Sequence, residues 1–385
     1  MTTHTPTEMD FPLEEYRERL LKTQAEMQRI GLPVMVLHQP ENILYLTGFY
    51  TTGYFSYHAI VVPAEGDPVL LLRDVELPAA RSSSWVGQHF IYKDEPDPVP
   101  AWMDTTRRAL EELGLAGGKV GLDEHSWFLT IERWKKLQSL LPNAELVQEP
   151  RIVDHIRLIK SSREIALLRV AARQAELGVV AGVAASQAGE TERTVATAVF
   201  NELLKSGSGL PLSGIIISGT RTDQLHGDFS DRRLEKGDTV YFELQGIHQK
   251  YWARIMRTTT VGPATDEQKK AAETIIRIQD EAIALMQPGE NAGRVDRAFR
   301  EPLVASGLKK DYTNRTGYSL GLNYRPSAGE FIREFVPGVD WTLEPGMVFH
   351  MLMMGAGMGF SETVLITESG PERLTTMERK LFERN

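Results

Sequence analysis

The segment Thr239-Val-Tyr-Phe-Glu-Leu-Gln245 alternates without a break, and a second strand-like segment, Tyr251-Trp-Ala-Arg-Ile-Met-Arg-Thr258, follows within a few residues. Alternation sends Val240, Phe242 and Leu244 to one face and Tyr241, Glu243 and Gln245 to the other. Two such segments this close in sequence form an antiparallel hairpin. A turn centred between His248 and Gln249 sets Glu243 opposite Arg254, and Gly246 opposite Tyr251. Directly opposed side chains lie about 4.5–5.5 Å apart, so this register predicts a Glu243–Arg254 ion pair. A carboxylate on so apolar a strand needs a partner or a function. A structural salt bridge within the sheet supplies the first without the second.

The rest of the chain arranges itself around that hairpin in two parts. At 385 residues it exceeds what one hydrophobic core usually serves. In the first part, a helix over 13–30 precedes short apolar runs at Val34–Leu37, Ile43–Thr47, Ile60–Val62 and Val69–Leu72, all read as strands. A helix near Met103–Leu113, a strand at Lys119–Leu122 and a helix near Ile131–Leu141 continue an α/β alternation. From Arg151 to Ala175 the pattern becomes a long helical stretch, with a second helix over Glu190–Lys205. Strands then follow at 215–218, 239–245 and 251–260, helices at 266–286 and 292–305, and closing strands near 347–354 and 359–367. Grouped strands beside grouped helices make this half α+β. The boundary is expected near residue 155, giving domains 1–155 and 156–385. No low-complexity tract or short internal repeat is evident.

Composition removes several function classes. The chain carries 43 basic and 52 acidic residues, a formal charge of −9, and no basic run. That argues against nucleic acid or an anionic membrane surface as the main partner. Zero cysteines exclude disulfides, thiolate nucleophiles, Fe–S clusters and cysteine-type zinc sites. No apolar run reaches the roughly eighteen residues of a membrane span. Residues Met1–Asp10 are polar and acidic rather than signal-like, and read as a short disordered lead-in. A soluble, cytoplasmic protein is expected.

Gly237-Asp238 before the first strand, its acidic residue, the hairpin and Arg257-Thr258 resemble the C-terminal domain of the pita-bread fold. That fold is shared by methionine aminopeptidase, Xaa-Pro aminopeptidase, prolidase and creatinase (the peptidase M24 group). Further matches run in family order: Arg157, Lys160, Glu164-Ile165, His226, Gly317-Tyr-Ser-Leu-Gly-Leu322, Leu343-Glu-Pro-Gly-Met347 and Ser361-Glu-Thr-Val-Leu-Ile-Thr367. The first half, with Asn42 and Tyr45-Leu-Thr-Gly48, is similar to the smaller N-terminal domain of prolidase and creatinase. The resemblance covers almost the whole chain. It implies an α+β pita-bread catalytic domain preceded by a smaller α/β domain, and a homodimer.

In the peptidase members two Asp, one His and two Glu hold two divalent metals that activate water. Carried onto this chain, those positions become Glu243, Arg254, Tyr318, Leu352 and Glu362. Leucine cannot ligate a metal, and arginine brings a fixed positive charge to where a cation would lie. The expectation is therefore no metal and no cofactor at this site, although adventitious metal on His226 or His350 is compatible with it. Decay of a peptidase would let these positions drift to small or apolar residues. Instead the pocket residues Glu243, Arg254, Tyr318, Tyr324, Arg325, Glu362 and His226 are charged or hydrogen-bonding, and the replacements resemble a metal-independent subgroup that contains ectoine hydrolase. Segments 242–251, 314–330 and 345–350 carry that likeness. The loop from Phe49 to His58 differs, and Ser56 falls where creatinase has a carboxylate-binding arginine.

The resemblance implies opening of a C–N bond in a small, zwitterionic cyclic amidine, guanidino or amide compound. Glu243 serves as nucleophile or base, His226 as proton shuttle, and Arg254 as charge stabiliser or carboxylate clamp. Glu362 binds a substrate cation or balances Arg254. Tyr251, Tyr318, Tyr324 and Arg325 are candidate substrate-binding groups, with packing as the competing role for the tyrosines. Tyr54, Tyr57 and His58 lie on a loop that in creatinase-like dimers reaches the partner's site. Met351, Met353, Met354 and Met358 line a core or pocket wall. The alternatives are an Xaa-Pro dipeptidase, a dimethylsulfoniopropionate-type lyase and a non-catalytic peptide-binding module.

Overall fold

The computed structural model describes residues 6–210, 215–224, 226–325 and 327–384. The chain divides into two compact units, one ending at Arg157 and the other beginning at Leu158. The first five residues of the lead-in expected to be disordered lie outside the described residues. Beyond them the chain is tied down, with the Glu8 N–H donating to the Ser82 carbonyl.

In the first unit the elements run α1 (Leu13–Arg29), β1 (Val34–Leu37), α2 (Pro40–Thr47), β2 (Ala59–Pro63), β3 (Val69–Arg73), α3 (Leu77–Ser83) and β4 (His89–Tyr92). They continue with α4 (Pro98–Glu112), β5 (Gly118–Leu122), α5 (Ile131–Leu140), β6 (Ala144–Gln148) and α6 (Ile152–Leu158). The sheet order is β4-β3-β2-β1-β5-β6. Strand β2 pairs antiparallel with both β1 and β3, whereas β4, β5 and β6 each join in parallel. Val34, Val36, Val61, Leu71 and Leu122 pack against Met103 and Leu110 of α4 and Leu137 of α5. The run Ile43–Thr47, expected as a strand, is helical. All eight residues of α2 are buried, so no polar face betrays the helical period. Pro40 at its first turn and Gly48 in the left-handed region at its end (φ 77°) are the signals that mark it.

The second unit contains α7 (Ser162–Ala185), α8 (Glu192–Lys205), β7 (Ile215–Ser218), β8 (Thr239–His248), β9 (Tyr251–Val261), α9 (Asp266–Ala284) and α10 (Ala292–Ala305). It closes with β10 (Gly317–Ser319), β11 (Glu334–Phe335), β12 (Val348–Gly355), β13 (Met358–Thr367), β14 (Gly370–Arg373) and β15 (Phe382–Arg384). The sheet path is β11-β10-β12-β13-β9-β8-β7, with β14 on β13 and β15 on β9. The helical stretch expected from 151 to 175 breaks before Ser161, which caps α7 in a reciprocal box with Glu164.

This unit is built twice on one plan: a helix pair and then a long hairpin. Gly189 N–H donates to the Leu234 carbonyl at 2.9 Å, and Leu234 N–H returns to Glu190 at 2.8 Å. In the second half Gly289 donates to Leu343 at 2.8 Å, and Leu343 returns to Glu290 at 2.9 Å. Leu234-Glu-Lys-Gly237 before β8 thus matches Leu343-Glu-Pro-Gly346 before β12. The correspondence pairs Tyr241 with His350, and Glu243 with Leu352. Offset by 109 residues, this duplication is not a short repeat of the kind the sequence was expected to lack, and the two tetrads share only Leu, Glu and Gly.

Helices α7 and α8 cover the back of the first hairpin, where Val179, Val199 and Leu203 meet Val240, Phe242 and Leu244. Helices α9 and α10 cover the second, where Ile275 and Phe299 meet Phe349, Met351 and Phe360. Helix α7 lies so close to β8 that a Cβ on Gly246 falls 1.8 Å from the Ala171 carbonyl oxygen and 2.7 Å from the Ala175 nitrogen. Backbone cannot yield as a side chain does. Gly246→Ala should therefore lower stability by about 3 kcal/mol, read as a shift in the denaturant midpoint. An unchanged midpoint would contradict this packing.

Candidate functional site

The hairpin that carries Glu243 turns at Gln249 (φ 44°) and Lys250 (φ 65°), two successive residues in the left-handed region. That is the two-residue turn whose twist suits a hairpin. It lies one position later than expected, so His248 opposes Tyr251, Gln245 opposes Arg254 and Glu243 opposes Met256. Glu243 and Arg254 are therefore diagonal rather than opposed. A long side chain spans a diagonal on one face, and Arg254 Nη2 still donates to Glu243 Oε1. The ion pair stands although the register that predicted it does not.

Two register lines cross the sheet here. One runs Glu243, Met256, Ser361, Leu352. The next runs Gln245, Arg254, Thr363, His350, Tyr318, with Thr363 Oγ1 bonded to both the Arg254 nitrogen and oxygen. Glu243, Gln245, Arg254, Tyr318, Leu352 and Met354 border a cavity of about 750 Å³, and His226 lies exposed at its edge. Phe331 and Val336 add apolar wall; Asn314 and Asp228 add polar groups.

Both oxygens of Glu243 are held. Arg254 Nη2 occupies Oε1, and the Tyr241 hydroxyl donates to Oε2 at 2.8 Å. Burial and the Glu243 charge push the Tyr241 phenol well up, so it stays a donor. Burial opposes the charge on Arg254, but the Glu243 carboxylate together with Tyr318 and Tyr241 more than offsets it, and the guanidinium stays protonated. Arg254 Nη1 donates to the Tyr318 hydroxyl at 2.6 Å and to the Ala328 carbonyl at 3.2 Å. Tyr318 in turn meets His350 Nδ1 at 2.9 Å, and His350 Nε2 meets Ser361 Oγ at 2.6 Å. Burial, reinforced by Arg254, pushes the His350 imidazole well down, so the ring is neutral.

Several expected site residues lie elsewhere. Glu362 follows Ser361 on β13 and so faces the opposite side of the sheet. There it accepts from Arg257 at 2.9 Å and from the Thr375 hydroxyl, with Arg379 Nε at 3.1 Å. It balances Arg257 and Arg379, not Arg254, and the residue aligned with the cavity is Ser361. Tyr251 points to the helix side, its hydroxyl donating to Glu164 Oε1 at 2.8 Å. Tyr324 is buried outside the cavity lining, and Arg325 donates to the Leu210 carbonyl instead. Tyr57 is a core residue of the first unit, stacked on Trp102 at 5.6 Å and bonded to Thr106 at 2.6 Å. His58 is buried against Phe49, and that burial pushes its imidazole down to about 4. Both are thereby removed as specificity residues. Tyr54 packs on Phe128 at 6.2 Å.

Other residues at the site had gone unassigned. Gln245 was placed on the right face by the strand alternation, yet given no role. It is 3% exposed and borders the cavity, and its Oε1 accepts no hydrogen bond. His350 and Ser361 become visible only through the cross-sheet register.

The positions corresponding to five metal ligands hold Glu243, Arg254, Tyr318, Leu352 and Ser361. One carboxylate, already paired with a guanidinium, does not fit a pair of divalent ions. Among the described residues no group of three or more His, Asp or Glu side chains is arranged to hold a metal.

If Glu362 is a structural charge, Glu362→Gln should act on stability rather than turnover. Burial pushes the Glu362 carboxyl up and the Arg257 guanidinium down, so both charges are costly to keep there. Removing one leaves the other uncompensated, at about 3–5 kcal/mol. A lower melting temperature with kcat of the folded protein within about two-fold of wild type is expected; lost turnover at full stability would return Glu362 to the site.

A model of metallopeptidase family M24 matches residues 166–368, and a model of the creatinase/prolidase N-terminal domain matches residues 19–159. The sequence is 26% identical to ectoine hydrolase of Halomonas elongata, over 97% of this chain and 98% of that protein. It is 27% identical to an Xaa-Pro dipeptidase of Pyrococcus horikoshii, over 95% of this chain and 99% of that protein. The crystal structure of a prolidase from Thermococcus sibiricus superposes with a TM-score of 0.83 at 22% identity, covering 96% of this chain and 99% of that one. The structural likeness carries the fold, α+β with a creatinase-type first unit.

Proposed function

Because the chain belongs to metallopeptidase family M24 yet pairs its cavity glutamate with an arginine, we propose that it is a metal-independent hydrolase of a C–N bond in a small, zwitterionic cyclic amidine, guanidino or amide compound. The observation that carries this reading is the buried Glu243–Arg254 pair, with side chains 9% and 5% exposed. The similarity to an ectoine hydrolase supports it; similarity of the same degree to an Xaa-Pro dipeptidase keeps peptide C–N bonds as the second reading.

The geometry suits covalent catalysis. Arg254 and Tyr241 each take one lone pair of Glu243 and hold the carboxylate in one orientation, leaving each oxygen a second lone pair. Glu243 attacks the carbonyl carbon of an amide substrate, or the corresponding carbon of an amidine. His226, at the cavity edge, gives a proton to the departing nitrogen, and the C–N bond breaks. Arg254 offsets the negative charge that grows on the substrate oxygen. Neutral His226 then takes a proton from water, which attacks the acyl intermediate and regenerates the Glu243 carboxylate. A cavity of about 750 Å³ suits a small substrate. Its one buried acid–base pair lets a zwitterion place opposite charges without adding net charge.

A substrate panel tests this: ectoine, hydroxyectoine, creatine, other guanidino and amido acids, and Xaa-Pro dipeptides, each with chelator and with added Mn²⁺ or Co²⁺. Turnover of a non-peptide member, indifferent to chelator, is expected. Glu243→Gln should reduce kcat by roughly a thousand-fold while circular dichroism stays native. Cleavage of Xaa-Pro dipeptides that depends on added metal, with two ions bound per chain, would overturn the proposal in favour of a dipeptidase.

A further inference from the structure

We propose that His350 is a positioning residue of this site, the group that ties three positions vacated by metal ligands, Arg254, Tyr318 and Ser361, into one directed hydrogen-bond chain ending on Glu243. The proposal rests on the hydrolase reading for its kinetic consequence but not for the chain itself.

Donor and acceptor inventory fixes the first link of the chain, and the proposal assigns the direction of the other two. A guanidinium has no lone pair to offer, so Tyr318 must accept from Arg254 Nη1 at 2.6 Å. Its one proton is then free for His350 Nδ1 at 2.9 Å. In the assigned direction Nδ1 is an acceptor, and the proton of the neutral ring lies on Nε2, donating to Ser361 Oγ at 2.6 Å. The opposite tautomer would have Nδ1–H donating to Tyr318 and Ser361 donating to Nε2, and it is the outcome the labelling experiment distinguishes. His350 is fully buried and stands edge-on to the Tyr318 ring, 5.2 Å between centroids at 77°.

The consequence reaches Glu243. With its proton committed to His350, the Tyr318 oxygen keeps its lone pair on Arg254 Nη1, while the other arm, Nη2, holds Glu243. Removing the imidazole frees the Tyr318 proton to turn, and the guanidinium loses a fixed stop. His350 reaches no reacting atom itself; its action passes through Tyr318 and Arg254. Its counterpart in the internal repeat, Tyr241, bonds Glu243 from the other side at 2.8 Å. Equivalent positions of the two hairpins thus steady the same carboxylate, one directly and one through the chain.

The test has two arms. In protein labelled with ¹⁵N-histidine, the His350 signals are identified by their loss in His350→Gln. A neutral Nε2–H ring is expected, with its Nδ1 resonance moving towards that of an unbonded acceptor in Tyr318→Phe. A proton on Nδ1, or a resonance indifferent to Tyr318→Phe, overturns the proposal. The second arm uses the panel substrate that is turned over. His350→Met and Tyr318→Phe should each lower kcat about ten-fold with little change in KM. The double variant should be no worse than the poorer single one, and His350→Gln, which keeps an acceptor and a donor, should recover part of the loss. Losses that multiply in the double variant overturn the proposal. Should the panel yield no turnover while the expected tautomer is seen, the hydrolase reading fails and the chain stands.

Discussion

The guanidinium of Arg254 beside the carboxylate of Glu243 is the interaction on which the rest of this site depends. Each charge alone would be intolerable in so buried a place, and together they are sustained because most of their remaining capacity is used, the Arg254 Nε–H being the exception. Tyr241 takes the second oxygen of Glu243; Tyr318 and the Ala328 carbonyl take the second arm of Arg254. The surrounding tyrosines are thus the satisfaction of an ion pair before they are anything else. In the proposed mechanism Glu243 attacks with the lone pairs that Arg254 and Tyr241 leave unused.

The two faces of the central strands divide the charges between them. On β9, Arg254 and Arg257 differ by three positions and so face opposite sides of the sheet. The first meets Glu243 at the cavity, and the second meets Glu362 beneath the helices. On β13 the neighbours Ser361 and Glu362 divide in the same way. A one-residue shift in reading β13 would exchange a structural acid for a catalytic one, because a strand has only two faces.

That shift marks how far the letters alone reach. The α+β class, most long helices and the β8–β9 hairpin were legible, because each rests on a periodicity that survives any local substitution. The turn was misplaced by one residue because Gln249 and Lys250 are not turn-type residues, yet both adopt positive φ. Glu243 and Arg254 could be paired from sequence only because a diagonal contact tolerates that error. Tyr251, Tyr57 and His58 were misjudged for a different reason. A tyrosine or histidine in a motif has the same letters whether its polar tip meets a substrate, Glu164 or Thr106. His350 and Ser361 were illegible until the strands were aligned, since they are separated by a turn and meet only across it.

Charge balance explains why this arrangement is self-consistent rather than eroded. In the metal-dependent pattern that the sequence resembles, four carboxylates offset two divalent cations, and the site is close to neutral. Here one carboxylate offsets one guanidinium, so neutrality is kept with a quarter of the charge on each side. Intermediates between the two states are poor. Exchanging Arg254 alone for an acid would leave two carboxylates in a buried space with no cation between them, and Tyr318, Leu352 and Ser361 would still provide no complete metal shell. The five positions therefore hold together as a set. The hydrogen-bond chain through His350 is what an organic cation needs and a metal pair does not: a guanidinium must be aimed, whereas ions are held by their ligands.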